Sequence, residues 1–293
     1  MSDTPIGESS PSRKKITTQT FRQKKQHAEP ISMLTAYDYP TALAIDRAWV
    51  DSILVGDSLG MVVLGYKTTL PVTMEEMLHH CRAVARGAEY ALLIGDMPFM
   101  SYQVSTQEAV RNAGRFLQEA GMDAVKLEGG RERVEDIRAI VGAGIPVMGH
   151  LGLTPQSIHQ FGGFRAQGKT ASAAQRMLED ALLLQDAGCF SLVLEAIPGK
   201  LAAFLSAKLD IPTIGIGAGV GCDGQVLVTH DLIGLFDRFT PKFVKQYASV
   251  HQEMKRAFTA YLADVESRAF PGDEHTIEMT PEEWDAFMRE LGV

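Results

Sequence analysis

The chain has 293 residues, a formal net charge of −8 and 45% apolar residues, which is the composition of an ordinary globular protein. The acidic balance, with no basic run longer than SRKK or RQKK, argues against a nucleic-acid partner. The sequence has no uninterrupted apolar stretch of about 18 residues and no apolar signal core at its start, so we expect no membrane span and a cytoplasmic location.

The first segment of the chain is polar. Residues 1–28 are rich in Ser, Thr, Lys and Gln and poor in large apolar side chains, so they cannot bury much apolar surface. We therefore predict a mobile N-terminal arm over residues 1–28. From Ile31 onward the pattern changes, and short apolar runs alternate with longer amphipathic stretches up to about residue 265.

Eight short apolar runs are predicted to be β-strands. Most are apolar on both faces, as expected of buried parallel strands. Helix signals lie between them: Thr73 with Glu76, and Ser105 with Glu108, have the spacing of N-terminal capping boxes. Gly121 stands where a helix must end before the next strand. The runs are ISMLTAY (31–37), SILVGD (52–57), ALLIGDM (91–97), AVKLE (124–128), PVMGHL (146–151), SLVLEA (191–196), PTIGIGA (212–218) and QVLVTHD (225–231).

Eight strands with helices between nearly all of them predict a (β/α)8 barrel over residues 29–265. An open doubly wound sheet remains the alternative, because the same alternation of strands and helices would serve it. Two connections depart from the pattern. Residues 152–170, after the fifth strand, form a long Gly-rich segment of the kind that is usually functional. The connection between the seventh and eighth strands has room only for a Gly-rich turn.

Residues 266–293 are predicted to be a C-terminal extension that contains one helix. Thr280 is its N-cap, Pro281 occupies the first helical position, and Glu283 completes a capping box. Such a helix is amphipathic, so we expect it to dock on the barrel or on a neighbouring subunit. Its apolar face consists of Trp284, Phe287, Met288 and Leu291.

Polar side chains fall at the ends of five consecutive predicted strands, where a barrel carries its chemistry. Lys126 and Glu128 are two positions apart on one strand, so both point to the same face. Each residue alone has a structural explanation, such as a turn cap, a core ion pair or a buried histidine. Their convergence predicts a functional site. The set comprises Asp57 and Ser58 after the second strand, Asp96 after the third, Lys126 and Glu128 on the fourth, His150 on the fifth and Glu195 on the sixth.

Four carboxylates that face one cavity repel each other, and a hard cation would relieve that repulsion. Oxygen ligands without a nearby cysteine disfavour zinc, whereas two carboxylates with waters and substrate oxygens suit Mg²⁺. Such an ion would bind a chelating 2-oxo acid and stabilise its enolate as a Lewis acid. Glu195 lies two strands beyond Lys126 and Glu128, so we expect it to face the substrate and act as the base.

Seven motifs at compatible spacing make the chain resemble the ketopantoate hydroxymethyltransferase family from about residue 30 to residue 250. The resemblance implies a (β/α)8 barrel similar to the phosphoenolpyruvate mutase and isocitrate lyase group. The segments at either end are less familiar. The motifs are TAYDYPTA, VGDSLGMVVLGY, GDMPF, VKLEGG, GHLGLTPQ, LEAIP and IGIGAG followed by DGQVLV.

The resemblance assigns roles to the residues at the predicted strand ends. It implies that Asp57 and Asp96 hold Mg²⁺ and through it the substrate, and that Glu128 supports the ion through water. It also implies that Ser58 and Lys126 contact the 2-oxo acid.

The remaining implications concern the reaction and its partners. Glu195 would be the proton acceptor, and His150 would line the substrate site. The substrate would be 3-methyl-2-oxobutanoate and the one-carbon donor 5,10-methylenetetrahydrofolate, giving 2-dehydropantoate and tetrahydrofolate. Residues 152–170 would then be a lid or a folate-side wall. The family forms large homo-oligomers, often decamers, which implies a homo-oligomer here.

Two alternatives share the barrel. A Mg²⁺-dependent lyase or mutase of the related group would use the same enolate chemistry on another oxo acid. The resemblance implies that those lyases usually carry a cysteine in an active-site loop. Here the long loop at 152–170 has none, because Cys81, Cys189 and Cys222 all lie outside it. A non-catalytic scaffold would be supported by the loss of an acid from the cluster, and all four acids are present.

Overall fold

Eight parallel strands form a closed barrel in the computed structural model, which describes residues 13–163 and 165–292. Each strand pairs with the next along the chain, and the first pairs with the last. This closure confirms the predicted (β/α)8 barrel and excludes the open sheet. The strands are β1 (Ile31–Thr35), β2 (Ser52–Val55), β3 (Leu92–Asp96), β4 (Ala124–Glu128), β5 (Val147–Gly152), β6 (Ser191–Glu195), β7 (Thr213–Ile216) and β8 (Gly224–Leu227).

Helices cover the outside of the barrel. Thr73 and Glu76 form the predicted capping box, and Ser105 accepts a hydrogen bond from the backbone N of Glu108. Residues 217–223, which the structure describes in full, join β7 to β8 without a helix, as predicted. The helices are α1 (Thr18–Gln26), α2 (Tyr39–Arg47), α3 (Leu59–Val62), α4 (Met74–Gly87), α5 (Thr106–Ala120), α6 (Val134–Gly142), α7 (Ile158–Phe161), α8 (Ala171–Asp186), α9 (Gly199–Lys208), α10 (Thr229–Leu232), α11 (Val250–Ser267) and α12 (Pro281–Leu291).

Two apolar cores determine where a ligand can bind. One lies between the helices and the outer face of the sheet, and the other fills the barrel interior. In β4 the positions Ala124, Lys126 and Glu128 alternate with apolar neighbours, and only Ala124 belongs to the inner core. The interior therefore changes from apolar to polar towards the C-terminal end of the strands, where barrel enzymes carry their sites.

The structure differs from the predicted mobile arm over residues 17–27, whereas residues 1–12 of that arm lie outside the described chain. Thr17 caps α1, and Phe21 on this helix is fully buried in the inner core, 6.0 Å from the ring of Phe190. Lys24 anchors the helix through a 2.6 Å ion pair with Asp51. One aromatic residue in a polar segment leaves no periodic pattern, so the sequence did not reveal this contact.

Replacing Phe21 with alanine should lower the free energy of unfolding by about 3–5 kcal/mol, the usual cost of emptying a buried phenylalanine site. Urea unfolding followed by far-ultraviolet circular dichroism measures this change. Gln23→Ala, an exposed position on the same helix, is the matched control and should have little effect. Equal effects of the two variants would show that α1 does not close the barrel in solution.

The C-terminal extension forms its predicted helix, but only the Thr280 half of the predicted capping box is present, and the helix does not dock on the barrel of its own chain. Thr280 caps α12 by accepting a hydrogen bond from the backbone N of Glu283, and Pro281 is the first helical residue. Trp284 remains 50% and Leu291 58% exposed, so the barrel of the same chain does not cover the apolar face. Packing against a neighbouring subunit stays a prediction. Across the described residues, every helix falls short of the length or apolar content that crossing a bilayer requires.

Candidate active site

The C-terminal end of the barrel opens into a cavity of about 540 Å³. The structure brings all seven predicted site residues to its wall, as the strand-end pattern indicated. Parallel pairing sets several of them side by side, because Asp96 is in register with Lys126 and Glu128 is in register with His150. The seven are Asp57, Ser58, Asp96, Lys126, Glu128, His150 and Glu195.

Alternating charges run across β3 to β6. Lys126 Nζ lies 2.7 Å from Asp96 Oδ1 and 3.3 Å from His150 Nδ1. His150 also contacts two carboxylates, with Nδ1 3.5 Å from Glu128 Oε1 and Nε2 3.1 Å from Glu195 Oε2. His150 therefore links the acid on β4 to the acid on β6.

Lys126 and His150, the two basic groups in this row of charges, are both held in their charged forms. Burial and the nearby Lys126 lower the pKa of His150, but contacts with Glu128 and Glu195 outweigh them and raise that pKa to about 9. Burial likewise lowers the pKa of Lys126, and the attraction of Asp96 and Glu128 more than reverses this effect. At neutral pH the site thus contains an ammonium and an imidazolium group.

Asp57 lies in a different electrostatic environment. Its backbone N donates a 3.1 Å hydrogen bond to Asp96 Oδ2, and its own Oδ2 accepts one of 3.0 Å from Gln156 Nε2. Burial, followed by repulsion from Asp96 and Glu128, raises the pKa of Asp57 well above its ordinary value. This carboxylate is therefore costly to ionise unless a further positive charge approaches it.

Gln156 is a site residue that sequence reasoning missed. A 3₁₀ turn after β5 (Pro155–Ser157) returns it to the cavity wall, where its backbone N donates to Glu128 Oε2 at 3.0 Å. Its amide group also donates to Met97 O at 2.9 Å and accepts from the hydroxyl of Tyr102 at 2.6 Å. Gln156 thus fixes Asp57 and Glu128 relative to each other. Gln156 is the last residue of the GHLGLTPQ motif, and this position is the feature of the sequence that could have indicated a site residue.

Ser58 is positioned by a second residue that was not assigned a role. Its Oγ lies 2.9 Å from the hydroxyl of Tyr37, which follows β1 in the TAYDYPTA motif. Burial raises the pKa of Tyr37, so its phenol stays neutral and can share a hydrogen bond with Ser58. A Cβ on Gly56 would lie 2.9 Å from Ser58 Oγ, which explains why glycine precedes the acid here.

The donor set at the deep end of the cavity fits a hard divalent cation. The four predicted carboxylates face Lys126 and His150 there, which leaves an excess of two negative charges. Asp96 Oδ1 is buried without a hydrogen bond of normal geometry, although Lys126 Nζ lies 2.7 Å away. The described residues contain no ready-made cluster of three or more His, Cys, Asp or Glu ligands. Mg²⁺ needs only one or two carboxylates beside its waters, so Asp57 and Asp96 suffice.

Two loops form the outer wall of the cavity. Leu153, Pro155 and Ala166 come from the Gly-rich segment 152–170, the predicted lid or folate-side wall. The larger contribution comes from residues 233–249 after α10, which sequence reasoning did not single out. This loop supplies Phe236, Phe239, Pro241, Lys242, Phe243 and Val244.

Comparison with known proteins places the chain among one group of enzymes. The family model described as ketopantoate hydroxymethyltransferase matches residues 15–273. The 3-methyl-2-oxobutanoate hydroxymethyltransferase of Syntrophus aciditrophicus is 59% identical over 263 residues, covering 90% of this chain and 97% of that relative. Seven further curated relatives, 53 to 62% identical, carry the same name.

Solved structures show the same fold at much lower identity. A 2,3-dimethylmalate lyase, described as a PEP mutase/isocitrate lyase superfamily member, superposes with a TM-score of 0.55 at 15% identity over 94% of this chain and 97% of that one. A phosphonopyruvate hydrolase complexed with oxalate and Mg²⁺ gives 0.57 at 11% identity over 94% and 97%. These likenesses confirm the predicted barrel fold.

Proposed function

The chain belongs to the ketopantoate hydroxymethyltransferase family, and we propose that it transfers a hydroxymethyl group from 5,10-methylenetetrahydrofolate to 3-methyl-2-oxobutanoate through a Mg²⁺-stabilised enolate. Its class as a 3-methyl-2-oxobutanoate hydroxymethyltransferase follows from relatives that match it over nearly their whole length. The observation that carries the finer proposal is the cluster of Asp57, Asp96 and Glu128, buried at the barrel end, with Glu195 in the same cavity and only two basic groups for the four carboxyls.

Asp57 and Asp96 would hold the ion, with Glu128 behind them. A bound Mg²⁺ would supply Lewis-acid stabilisation of the negative charge that develops on the substrate oxygens. A solved phosphonopyruvate hydrolase of the same fold is a complex with oxalate and Mg²⁺, which supports the proposal that this barrel accommodates a metal together with a small dianion. Gln156 keeps Asp57 and Glu128 in place through one amide and one backbone hydrogen bond.

Glu195 is the proposed base. It stands at the end of β6 with its carboxylate 3.1 Å from His150 Nε2, and it is less buried than the acids on β3 and β4. The imidazolium of His150 orients this carboxylate while its own contact with Glu128 keeps it charged. Glu195 would accept the proton from C3 of the oxo acid, where the new bond forms.

Ser58 and Lys126 are the proposed contacts of the 2-oxo acid. The Lys126 ammonium lies beside Asp96 and can donate to a substrate carboxylate or keto oxygen next to the ion. After proton removal, the methylene carbon of the folate would lose its bonds to N5 and N10 and gain one bond to C3 and one to the oxygen of a water. The proton from C3 and one proton of that water go to the two nitrogens, which gives 2-dehydropantoate and tetrahydrofolate.

We also propose that the enzyme works in the cytoplasm as a homo-oligomer, with a decamer as the form that the family resemblance implies. Supporting this, every residue of α11 after Val250 is exposed in the single chain, including Phe258 at 62% and Tyr261 at 60%. Large apolar side chains exposed together on one helix usually mark an interface.

Removing divalent metal should abolish turnover, and adding Mg²⁺ should restore it. The test incubates the purified enzyme with 3-methyl-2-oxobutanoate and 5,10-methylenetetrahydrofolate, with and without exhaustive chelation, and quantifies 2-dehydropantoate by mass spectrometry. A parallel incubation with chelator presaturated by Mg²⁺ controls for effects of the chelator itself. Turnover that survives complete chelation would exclude the metal role.

A further inference from the structure

We propose that residues 233–249 after α10 bind the folate donor, with an aromatic wall for its rings and a lysine for its glutamate carboxylate. This inference rests on the proposed function and assigns a site for the second substrate. We call Phe236, Phe239, Lys242 and Phe243 the β8 wall.

The cavity is too large for the oxo acid alone. Its volume of about 540 Å³ lies within the range of roughly 300–1,000 Å³ that encloses drug-sized ligands. The polar residues of β3 to β5 in the lining are buried, whereas Phe239, Lys242 and Phe243 of the β8 wall are exposed. A small oxo acid held at the deep end leaves the space along the β8 wall for a larger second ligand.

The β8 wall adjoins the strand next to the one that carries the proposed base. Glu195 is in register with Ile216 on β7, and Gly217 follows directly. Gly217 has φ of +62°, and a Cβ there would lie 2.7 Å from Cδ1 of Phe243. The ring of Phe243 therefore rests on the backbone one residue beyond Ile216, the register partner of Glu195, so the β8 wall reaches the strand next to the proposed base.

The wall presents aromatic surface that its own chain leaves uncovered. Phe239 is 69% and Phe243 41% exposed, although both line the cavity. The pterin and p-aminobenzoyl groups of folate are flat π-systems, and stacking of a heteroaromatic base on an aromatic side chain contributes about 1–3 kcal/mol. Exposed phenylalanines at the mouth of a reactive cavity match such a ligand.

The charge of the loop complements the acidic end of folate. Residues 237–245 carry Arg238, Lys242 and Lys245 against the single acid Asp237, in a chain whose net charge is −8. Asp237 Oδ2 lies 3.2 Å from His251 Nε2, and Lys245 lies over the ring of Tyr247. Lys242 is the cation of this group that lines the cavity, so it can pair with the glutamate carboxylate.

The experiment measures KM for each substrate separately in Phe239→Ala, Phe243→Leu and Lys242→Gln. We expect KM for 5,10-methylenetetrahydrofolate to rise on the order of tenfold in each variant, while KM for the oxo acid changes less than twofold. Phe204→Ala and Lys200→Gln on α9 are the matched controls, with exposed side chains outside the cavity. The Lys242→Gln effect should disappear when the donor is a methylenetetrahydropteroate that lacks glutamate.

Three outcomes separate this inference from the proposed function. A wild-type enzyme that neither exchanges the C3 hydrogen of the oxo acid nor consumes the folate contradicts the proposed function itself. Normal turnover with an unchanged folate KM in all three variants overturns the β8 wall. Equal increases in both KM values, together with a changed sedimentation coefficient, also overturn it, because the loop would then serve assembly.

Discussion

Replacing Glu195 with glutamine is expected to slow exchange of the C3 hydrogen of 3-methyl-2-oxobutanoate with solvent by about 10²–10⁴-fold, the range that general-base catalysis contributes. Glutamine has nearly the same shape, and its carbonyl oxygen can still face His150 Nε2, which lies 3.1 Å from the carboxylate in the structure. The amide cannot accept a proton at neutral pH. Binding of the oxo acid at Asp96 and Lys126 should therefore persist while proton transfer fails.

The measurement is proton exchange in deuterated buffer, followed by NMR of the substrate methyl signals with Mg²⁺ present and folate absent. Oxo-acid binding is measured in parallel by calorimetry. Glu179→Gln changes a surface carboxylate paired with Arg131 on the outside of the barrel, and it should leave exchange at the wild-type rate. Exchange at the wild-type rate in Glu195→Gln would show that another residue of the cavity is the base.

Much of the fold could be read from the sequence because barrels built in chain order need only local signals. Each strand run is short and carries apolar residues towards the helices, as Val125 and Leu127 do in AVKLE (124–128), and each strand pairs with its neighbour along the chain. The strand ends then had to meet at one face, which brought Asp57 and Glu195 to the same cavity although they are distant in sequence. Alternation within a strand fixed which side chains point inward.

The parts that sequence reasoning missed depend on contacts between distant segments. Phe21 closes the barrel from a polar segment, and a single aromatic residue has no period to detect. Gln156 reaches two acids because a 3₁₀ turn redirects the chain after β5, and the direction of such a turn is not encoded in hydropathy. The loop at 233–249 lacks strand or helix periodicity, so its position over the cavity emerged only from the fold.

The two proposed metal ligands differ in how they affect the stability of the metal-free protein. Asp96 contacts the ammonium of Lys126, whereas Asp57 accepts its hydrogen bond from the neutral amide of Gln156. In the metal-free protein, Asp96 therefore compensates a buried charge, and Asp57 adds to an excess of negative charge. Burial raises the pKa of Asp96 as well, although Lys126 opposes that rise, so the same Asp→Asn change should stabilise the metal-free protein less at Asp96 than at Asp57.

Asp96→Asn should raise the free energy of unfolding of the metal-free protein at neutral pH by less than Asp57→Asn does, because losing the closest counter-charge of Lys126 offsets part of the relieved repulsion. Asp57→Asn should raise it at neutral pH. Because the pKa of Asp57 is raised in the folded state, its contribution is most favourable below its unfolded pKa and is lost as pH rises. The gain from Asp57→Asn should thus be present at pH 7 and absent at pH 3.5.

In excess Mg²⁺, Asp57→Asn should lower the free energy of unfolding relative to the wild type. The reason is that the ion stabilises only a folded protein that still binds it. Both variants should lose metal affinity by at least about 10–100-fold, the effect seen when even the supporting shell of a metal site is changed. Urea unfolding in chelator and in excess Mg²⁺ measures both effects in one series. Asp285→Asn, at an exposed position, is the control. Asp46→Asn is unsuitable because the Asp46 carboxylate accepts hydrogen bonds from the backbone of Tyr90 and Ala91. If Asp57→Asn keeps the same stability advantage with and without Mg²⁺, Asp57 is not a metal ligand.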